Sequence, residues 1–164
     1  MLIRFEELYR QYSADIYRFA LYLTGERALA EDITSETFVR AWTATSALRL
    51  TTVKAYLLAI ARNLYIEELR RQGRHADLPE TLQDHRDLAR QTEARSALGK
   101  TAEALQKIPE GDRTALLMRT MDEMSYEDIA SALGISMSAV KTRIFRARLR
   151  LTELQEAMEW KTSK

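Results

Sequence analysis

Apolar side chains recur every three or four residues along most of this chain, which is the spacing of amphipathic helices. In the first 23 residues the pattern is carried by Leu8, Tyr12, Ile16, Phe19 and Leu23. It predicts further helices over residues 28–45, 54–71, 92–108, 112–121, 125–133 and 136–160. The pattern stops at Thr24-Gly25, over the polar and β-branched residues 45–53, and at a predicted turn made of Pro109-Glu110-Gly111-Asp112.

The longest interruption lies near the middle of the chain, over residues 73–90. It contains Pro79, both histidines and the acidic residues Asp77, Glu80, Asp84 and Asp87. Only 5 Gly and 2 Pro occur among 164 residues, too few for a turn-rich β architecture. We therefore predict an all-α fold of two small helical domains joined by an acidic linker, with domains at residues 1–72 and 92–160 and the linker at 73–91.

The composition also bounds the chemistry. There is no Cys, which excludes disulfides, thiolate zinc sites and cysteine nucleophiles. The two histidines, His75 and His85, fall in the predicted linker, and no Gly-rich phosphate loop or nucleophile–base pairing is found. We expect no metal, no cofactor and no enzymatic activity. Without a long apolar run or a signal-peptide pattern, we also expect a soluble, cytoplasmic protein with no membrane insertion.

The net charge of +1 conceals two basic segments. Residues 48–75 carry six basic and two acidic side chains, and residues 136–151 carry five basic and no acidic ones. The rest of the chain is acidic on balance. A single such segment can be a solvated helix face, but two of them indicate contact with a polyanion at two places.

Residues 125–136, with the sequence SYEDIASALGIS, have the spacing of a helix-turn-helix. Ser125 can cap the first helix with Asp128 three residues later, and Gly134 can supply the left-handed turn residue. Either Ser136 or Ser138 can cap the second helix, whose first amides can hold a DNA phosphate.

The second helix of this motif has two distinct sides. One stripe is apolar and should face the core: Val140, Ile144, Ala147, Leu151 and Leu154. The opposite side carries Lys141, Thr142, Phe145, Arg146 and Leu149, flanked by Arg143, Arg148 and Arg150. This side suits the major groove of DNA and its phosphates. Phe145 either touches a thymine methyl group or covers a neighbouring helix.

A second motif lies at residues 30–42, with the sequence AEDITSETFVRAW. Asp32, Glu36 and Arg40 are four residues apart and form one exposed stripe, with Phe38 and Trp42 near by. Taken alone, a Glu36–Arg40 pair on a solvated face explains this pattern.

The third predicted helix carries a row of polar residues on one side. Tyr56, Asn63 and Arg70 are seven residues apart, and Glu67 and Arg71 join them. An aromatic ring, an amide and a guanidinium in line can stack on unpaired bases, hydrogen-bond them and neutralise phosphates.

Together, residues 30–42, 55–64 (AYLLAIARNL), 68–71 (ELRR) and 125–148 resemble the bacterial extracytoplasmic-function (ECF) sigma factors, in the same order and spacing. The resemblance implies an RNA polymerase sigma factor that directs transcription initiation. It would bind core polymerase and recognise the minus-ten and minus-thirty-five promoter elements. The alternative is a stand-alone helix-turn-helix regulator that binds operator DNA as a dimer.

The resemblance also implies partners and site residues. The clamp of the largest polymerase subunit would contact Asp32, Glu36, Phe38, Arg40 and Trp42. The minus-ten DNA would contact Lys54, Tyr56, Asn63, Arg70 and Arg71, beside a loop at residues 46–53 that captures a flipped base. The minus-thirty-five DNA would contact Ser136, Ser138, Lys141, Thr142, Arg143, Phe145, Arg146 and Arg148. Further implied partners are the flap of the second-largest subunit and an anti-sigma factor, and the linker would thread the RNA exit path.

The chain departs from the family pattern in three places. The capturing loop reads Ala47-Leu48-Arg49-Leu50 where many members have an aromatic residue and a glycine. Tyr56 stands where a Trp often opens the third helix, and Ala139 stands where a Thr is frequent. The loop and the Tyr56-Leu57 context favour the iron-uptake type within the group.

Overall fold

The computed structural model describes residues 4–43, 52–74 and 97–162. These ranges contain seven α-helices and no strand. The N-terminal half consists of α1 (Phe5–Thr24), α2 (Arg27–Thr43) and α3 (Val53–Arg74). The C-terminal half consists of α4 (Ala97–Gln106), α5 (Glu110–Thr120), α6 (Tyr126–Leu133) and α7 (Met137–Thr162). The all-α prediction is confirmed.

Most helix boundaries agree with the periodicity, but one predicted turn is wrong. Glu110, Gly111 and Asp112 belong to α5, which begins directly after Pro109. Acidic side chains in a first turn complement the helix dipole, and Glu110 and Asp112 supply two. Gly111 lies in this helix beneath the Arg143 guanidinium, and an added Cβ would stand 2.7 Å from Arg143 Nη1. The predicted base-capturing loop, apart from its last two residues, and nearly all of the predicted linker lie outside the described residues.

Two glycines end helices in the left-handed conformation. Gly25 closes α1 with φ of 73°, and its N–H donates to the carbonyl of Leu21. Gly134 closes α6 with φ of 66°, and its N–H donates to the carbonyl of Ala130. Because side chains with a Cβ are strained at positive φ, these are the positions where the chain requires glycine.

The buried apolar side chains form one core to which both halves contribute. In the N-terminal half Ile16, Phe19, Leu23, Phe38, Leu57 and Leu58 are essentially inaccessible to solvent. In the C-terminal half the same holds for Met118, Ile129 and Val140. Burying one side chain of this size contributes about 1.5–3 kcal/mol, so these stripes stabilise the packing of the helices within each half.

The two halves also pack against each other, which the pattern of apolar residues does not predict. Helix α1 contacts α4 and α5, and α3 contacts α6. At the end of α1, Gln106 Nε2 donates hydrogen bonds to the carbonyls of Tyr22 (3.0 Å) and Leu23 (3.4 Å). Gln106 thus satisfies carbonyls that the last turn of a helix leaves without an intrahelical partner.

No helix within these described ranges combines the length and the apolar character needed to cross a membrane.

The same substitution at two glycines should change stability in opposite directions. Gly134→Ala should destabilise the protein by about 1 kcal/mol, because φ of 66° strains any residue with a Cβ. Gly73→Ala should stabilise it by roughly 0.5 kcal/mol, because Gly73 is helical with nothing within 4 Å of an added Cβ. Urea unfolding followed by circular dichroism measures both. Equal effects at the two positions would contradict the backbone assignment at Gly134.

Candidate nucleic-acid and protein interfaces

Helices α6 and α7 form the predicted helix-turn-helix. Ser125 Oγ accepts a hydrogen bond from the amide of Asp128 at 3.1 Å, so the predicted cap of α6 is confirmed. The turn is closed by the N–H of Ile135, which donates to the carbonyl of Ala130. Ser136 Oγ accepts from the amide of Ala139 at 3.1 Å, so Ser136 caps α7. These caps fix the direction in which α7 leaves the turn.

The predicted division of α7 into two sides is confirmed. Val140, Ile144 and Ala147 are buried, and Leu151 and Leu154 are partly buried against the same core. Lys141, Thr142, Phe145, Arg146 and Leu149 are all exposed. Phe145 is 68% exposed, so it does not cover a neighbouring helix within the described part of the chain. An exposed ring between basic side chains remains free to meet a ligand.

Several basic residues of α7 have partners inside the protein, which the sequence did not indicate. Arg146 Nη2 lies 3.0 Å from Oδ1 of Asp112 in α5. The Arg143 side chain is partly buried over Gly111, and Lys141 Nζ lies 5.7 Å from the centre of the Tyr126 ring. These contacts hold the cations in defined positions on the exposed side of α7.

On α2 the charged stripe is exposed as predicted, and it continues onto α3. Arg40 Nη1 and Nη2 donate to both carboxylate oxygens of Glu67 at 3.0 and 3.1 Å, and Arg40 Nε donates to Glu36 at 3.3 Å. The hydrogen bonds from Arg40 lower the pKa of Glu67 below its ordinary value. The Glu36–Arg40 pair expected of a solvated face is therefore present, extended by Glu67.

A groove of about 510 Å³ runs between α2 and α3 beside this stripe. Its lining includes the apolar Leu29, Ile33 and Leu64, the acidic Asp32, Glu36, Glu67 and Glu68, and one cation, Arg71. A groove lined mostly by apolar and acidic side chains fits a partner that presents both apolar and basic ones.

The two aromatic residues of this motif lie in different places. Trp42 is 54% exposed and packs edge-on to Phe5 at 5.5 Å between ring centres. Phe38 is 1% exposed and packs edge-on to Tyr9 at 5.0 Å. The prediction that the Phe38 side chain lies on a contact surface is therefore wrong, because it belongs to the core.

The polar row on α3 is only partly open to solvent. Asn63 and Arg70 are exposed, and Tyr56 is partly buried. Arg71 is exposed and pairs with Glu68 within α3 at 2.6 Å. Lys54 differs from the rest, because it lies between Asp15 of α1 and Asp122 of the α5–α6 turn. Asp112 and Asp122 are the partners that sequence reasoning missed, because both pairings join distant parts of the chain.

Comparisons with known proteins agree with this architecture. Residues 8–75 match the Sigma-70 region 2 family, and residues 98–151 match Sigma-70 region 4. The chain is 30% identical over 155 residues to the ECF RNA polymerase sigma factor SigM of Bacillus subtilis, covering 91% of this chain and 93% of SigM. It is 34% identical over 157 residues to the ECF RNA polymerase sigma factor SigL of Mycobacterium tuberculosis, covering 91% and 88% of the two chains.

A solved structure shares the fold. It is the sigma factor RpoE of Bartonella quintana in complex with the anti-sigma factor NepR, with a TM-score of 0.75 at 24% identity, covering 93% of this chain and 96% of that one.

A helical N-terminal half that matches region 2, followed by a helix-turn-helix half that matches region 4, defines a sigma factor of RNA polymerase. Within that class, the identity to SigM and SigL over nearly the full length of both shows that the chain belongs to the ECF sigma factors. The alternative of a stand-alone operator-binding regulator is thereby set aside.

Proposed function

We propose that the chain divides the work of transcription initiation between its two halves, with residues 1–72 acting at core polymerase and the minus-ten element and residues 92–160 at the minus-thirty-five element. The observation that carries this is the exposed side of α7, where Phe145 and Arg146 stand among cations without an acid from residue 136 to 151. In this proposal residues 73–91 link the halves. The protein acts in the cytoplasm without chemistry of its own.

Partners follow from the same proposal. We infer contacts with the clamp of the largest polymerase subunit and the flap of the second-largest. NepR binds the RpoE sigma factor, and we propose an anti-sigma factor for this chain as well. The iron-uptake type stays a prediction, since it depends largely on loop residues outside the described ranges and the relatives named above do not support it.

For the minus-thirty-five element we assign base reading to Arg146 and Lys141. Thr142 and Phe145 lie on the same exposed side, with Arg143 and Arg148 at its flanks, and Ser136 and Ser138 lie where the first amides of α7 can approach a phosphate. The Arg146 side chain is 58% exposed although its partner Asp112 is buried, so part of the guanidinium faces solvent. This exposed part can make a contact with guanine.

Replacing two arginines by lysine separates base reading from phosphate binding. Arg146→Lys keeps the charge but loses the two-pronged guanidinium, so it should change the preference among minus-thirty-five sequences by about 1–3 kcal/mol. Arg150→Lys should leave the preference unaltered, because Arg150 lies beyond the reading side. Transcription from a randomised minus-thirty-five library measures both. If the two variants give the same preference as wild type, the assignment of Arg146 is wrong.

For the minus-ten element we assign base contact to Asn63, supported by Tyr56 and by phosphate contacts from Lys54, Arg70 and Arg71. Asn is a poor helix former and costs roughly half a kcal/mol relative to Ala inside a helix. Asn63 bears this cost on an exposed site within α3, and no hydrogen bond to its amide is found among the described residues. A contact made only in the promoter complex accounts for the residue.

Asn63→Ala should impair promoter opening while leaving core binding nearly normal, because an unstacked base becomes available only after the duplex opens. Permanganate footprinting of unpaired thymines measures opening. A promoter with the minus-ten stretch already mismatched is the control and should recover part of the opening, though not the base preference. Wild-type opening with unaltered preference would show that Asn63 is structural.

For core polymerase we assign the groove between α2 and α3, with Asp32, Glu36 and Arg40 on its charged stripe and Trp42 at the end of α2. The mostly acidic and apolar lining of the groove supports this assignment. Phe38 supports the surface from the core without contacting a partner.

Glu36→Lys should weaken core binding about tenfold or more, because it places a cation against a basic partner surface. Glu31→Lys is the matched control: it makes the same charge change on α2, on the side that faces Tyr9 and Ser13 of α1. Fluorescence titration of labelled protein with core polymerase measures both. Equal affinities for the two variants, with helical content intact, would remove the groove from the polymerase interface.

A further inference from the structure

Asp112 is an acid that lies beneath the basic side of α7. Its Oδ1 is 3.0 Å from Nη2 of Arg146, and its side chain is only 11% exposed. Among the described residues, Arg146 is the cation of α7 that pairs with a carboxylate of another helix, since Arg150 pairs with Glu153 within α7 itself. The guanidinium of Arg146 is therefore tied to α5 as well as to its own helix.

The turn of α5 that carries Asp112 is itself held in place. The helix begins directly after Pro109, whose carbonyl accepts a hydrogen bond from the amide of Arg113 at 2.9 Å. The buried Arg113 side chain donates to Gln106 at 2.7 Å. A side chain on a fixed turn keeps a defined position, so the carboxylate of Asp112 can serve as an anchor for its partner.

The pair leaves Arg146 able to bind a base. Nη2 donates to Asp112, and no other hydrogen bond from this guanidinium is found in the described part of the chain. A guanidinium has five N–H donors in one plane, so the remaining donors can reach the O6 and N7 acceptors of a guanine. Because the anchor already restricts the side chain, less rotamer freedom is lost when the base is bound.

The negative charge of Asp112 is unfavourable for affinity by itself. Residues 136–151 contain five basic and no acidic side chains, so this carboxylate of α5 lies under a surface that otherwise attracts phosphate. Affinity for DNA of any sequence depends on that attraction. An acid at this point is therefore explained by a gain in specificity, which is a difference between affinities, and not by a gain in affinity.

We propose that Asp112 is a specificity-determining positioning residue for the minus-thirty-five element, whose carboxylate holds the Arg146 guanidinium in the orientation that reads a base and keeps it from turning to a neighbouring phosphate. Asp112 acts through Arg146 and makes no base contact of its own. The proposal rests on the base reading by Arg146 in the proposed function.

Asp112→Ala releases the guanidinium without removing it. The measurement is transcription from the randomised minus-thirty-five library, with the full-length protein and core polymerase. The preference at the position that Arg146→Lys changes should fall roughly fivefold. The fall should come mainly from better use of mismatched elements, because a released arginine and a lost acid both favour phosphate contacts. A merely structural role would instead lower transcription from all elements alike.

Two further variants separate positioning from other effects. Asp112→Ala combined with Arg146→Lys should show the preference of Arg146→Lys alone, because both changes act through one contact. Gly111→Ala is the matched control in the same turn: its Cβ would stand 2.7 Å from Nη1 of Arg143 and displace that side chain, yet the preference at the Arg146 position should stay at the wild-type value. Additive effects in the double variant, or the same fivefold fall in Gly111→Ala, would overturn the proposal.

The position of Arg146 can also be measured in the free, full-length protein. Nitrogen-15 relaxation of its Nε–H group reports the order of the side chain, and Arg146→Lys identifies the signal. The order parameter should be high in wild type. In Asp112→Ala it should fall to about the value of Arg148, which is exposed on the same helix and should itself be unchanged.

Equal order of the Arg146 side chain in wild type and in Asp112→Ala overturns the proposal. So does an unaltered preference in Asp112→Ala when Arg146→Lys alters it. If Arg146→Lys leaves the preference unaltered, base reading fails and the role of Asp112 fails with it, an outcome recognised from the arginine variant alone.

Circular dichroism checks that each variant keeps its helical content. Should Asp112→Ala lose it, Asp112→Asn replaces it in both measurements. Asparagine has the same size and keeps an acceptor for Arg146 but not the charge, so order and preference should shift in the same direction by a smaller factor. Wild-type order and preference in a folded Asp112→Asn would then overturn the proposal.

Discussion

The burial of one stripe of α7 is the constraint on which the recognition surface depends. Val140, Ile144 and Ala147 enter the core against α5 and α6, and this fixes the rotation of the helix about its axis. Once that rotation is fixed, the side chains on the opposite side of α7 must face solvent. Phe145 is 68% exposed as a consequence, although exposing a ring is unfavourable by itself. Core packing thus determines which positions of α7 are exposed. It does not determine which side chains occupy those positions, so these can be the ones that bind a ligand.

The sequence predicted what depends on neighbours along the chain. Periodicity located the helices, Ser125 and Gly134 marked the ends of α6, and the two sides of α7 followed from the rotation per residue. What it missed depends on distant pairs. Glu110 and Asp112 looked like a turn because Pro109 and Gly111 stand beside them, yet both are helical, with Asp112 bound to Arg146 and Arg143 resting on Gly111.

Because local patterns do not report contacts between distant residues, the sequence wrongly places Phe38 on the surface and gives no partner for Asp122. Phe38 lies between Glu36 and Arg40 of the exposed stripe in sequence, but the packing of α1 against α2 buries its ring, and no local pattern predicts that packing. Asp122 stands 68 residues beyond Lys54 in the chain, and a lone acid in a short turn gives no indication of its partner. Pairing across the two halves is a property of the tertiary fold, so it becomes visible only in three dimensions.

A chain with a net charge of only +1 can still present two basic segments to a polyanion, because many of its basic side chains are paired with acidic ones. The pairs differ in the cost of exchange. Arg150 and Glu153 are about half exposed, and a pair of this kind contributes at most about 1 kcal/mol. A phosphate can replace such partners at little cost. The pairs of Arg146 with Asp112 and of Lys54 with Asp122 are costlier to break, because both acids are buried and lose their compensating charge when the cation leaves. The cost of releasing a cation therefore depends on the burial of the acid with which it pairs.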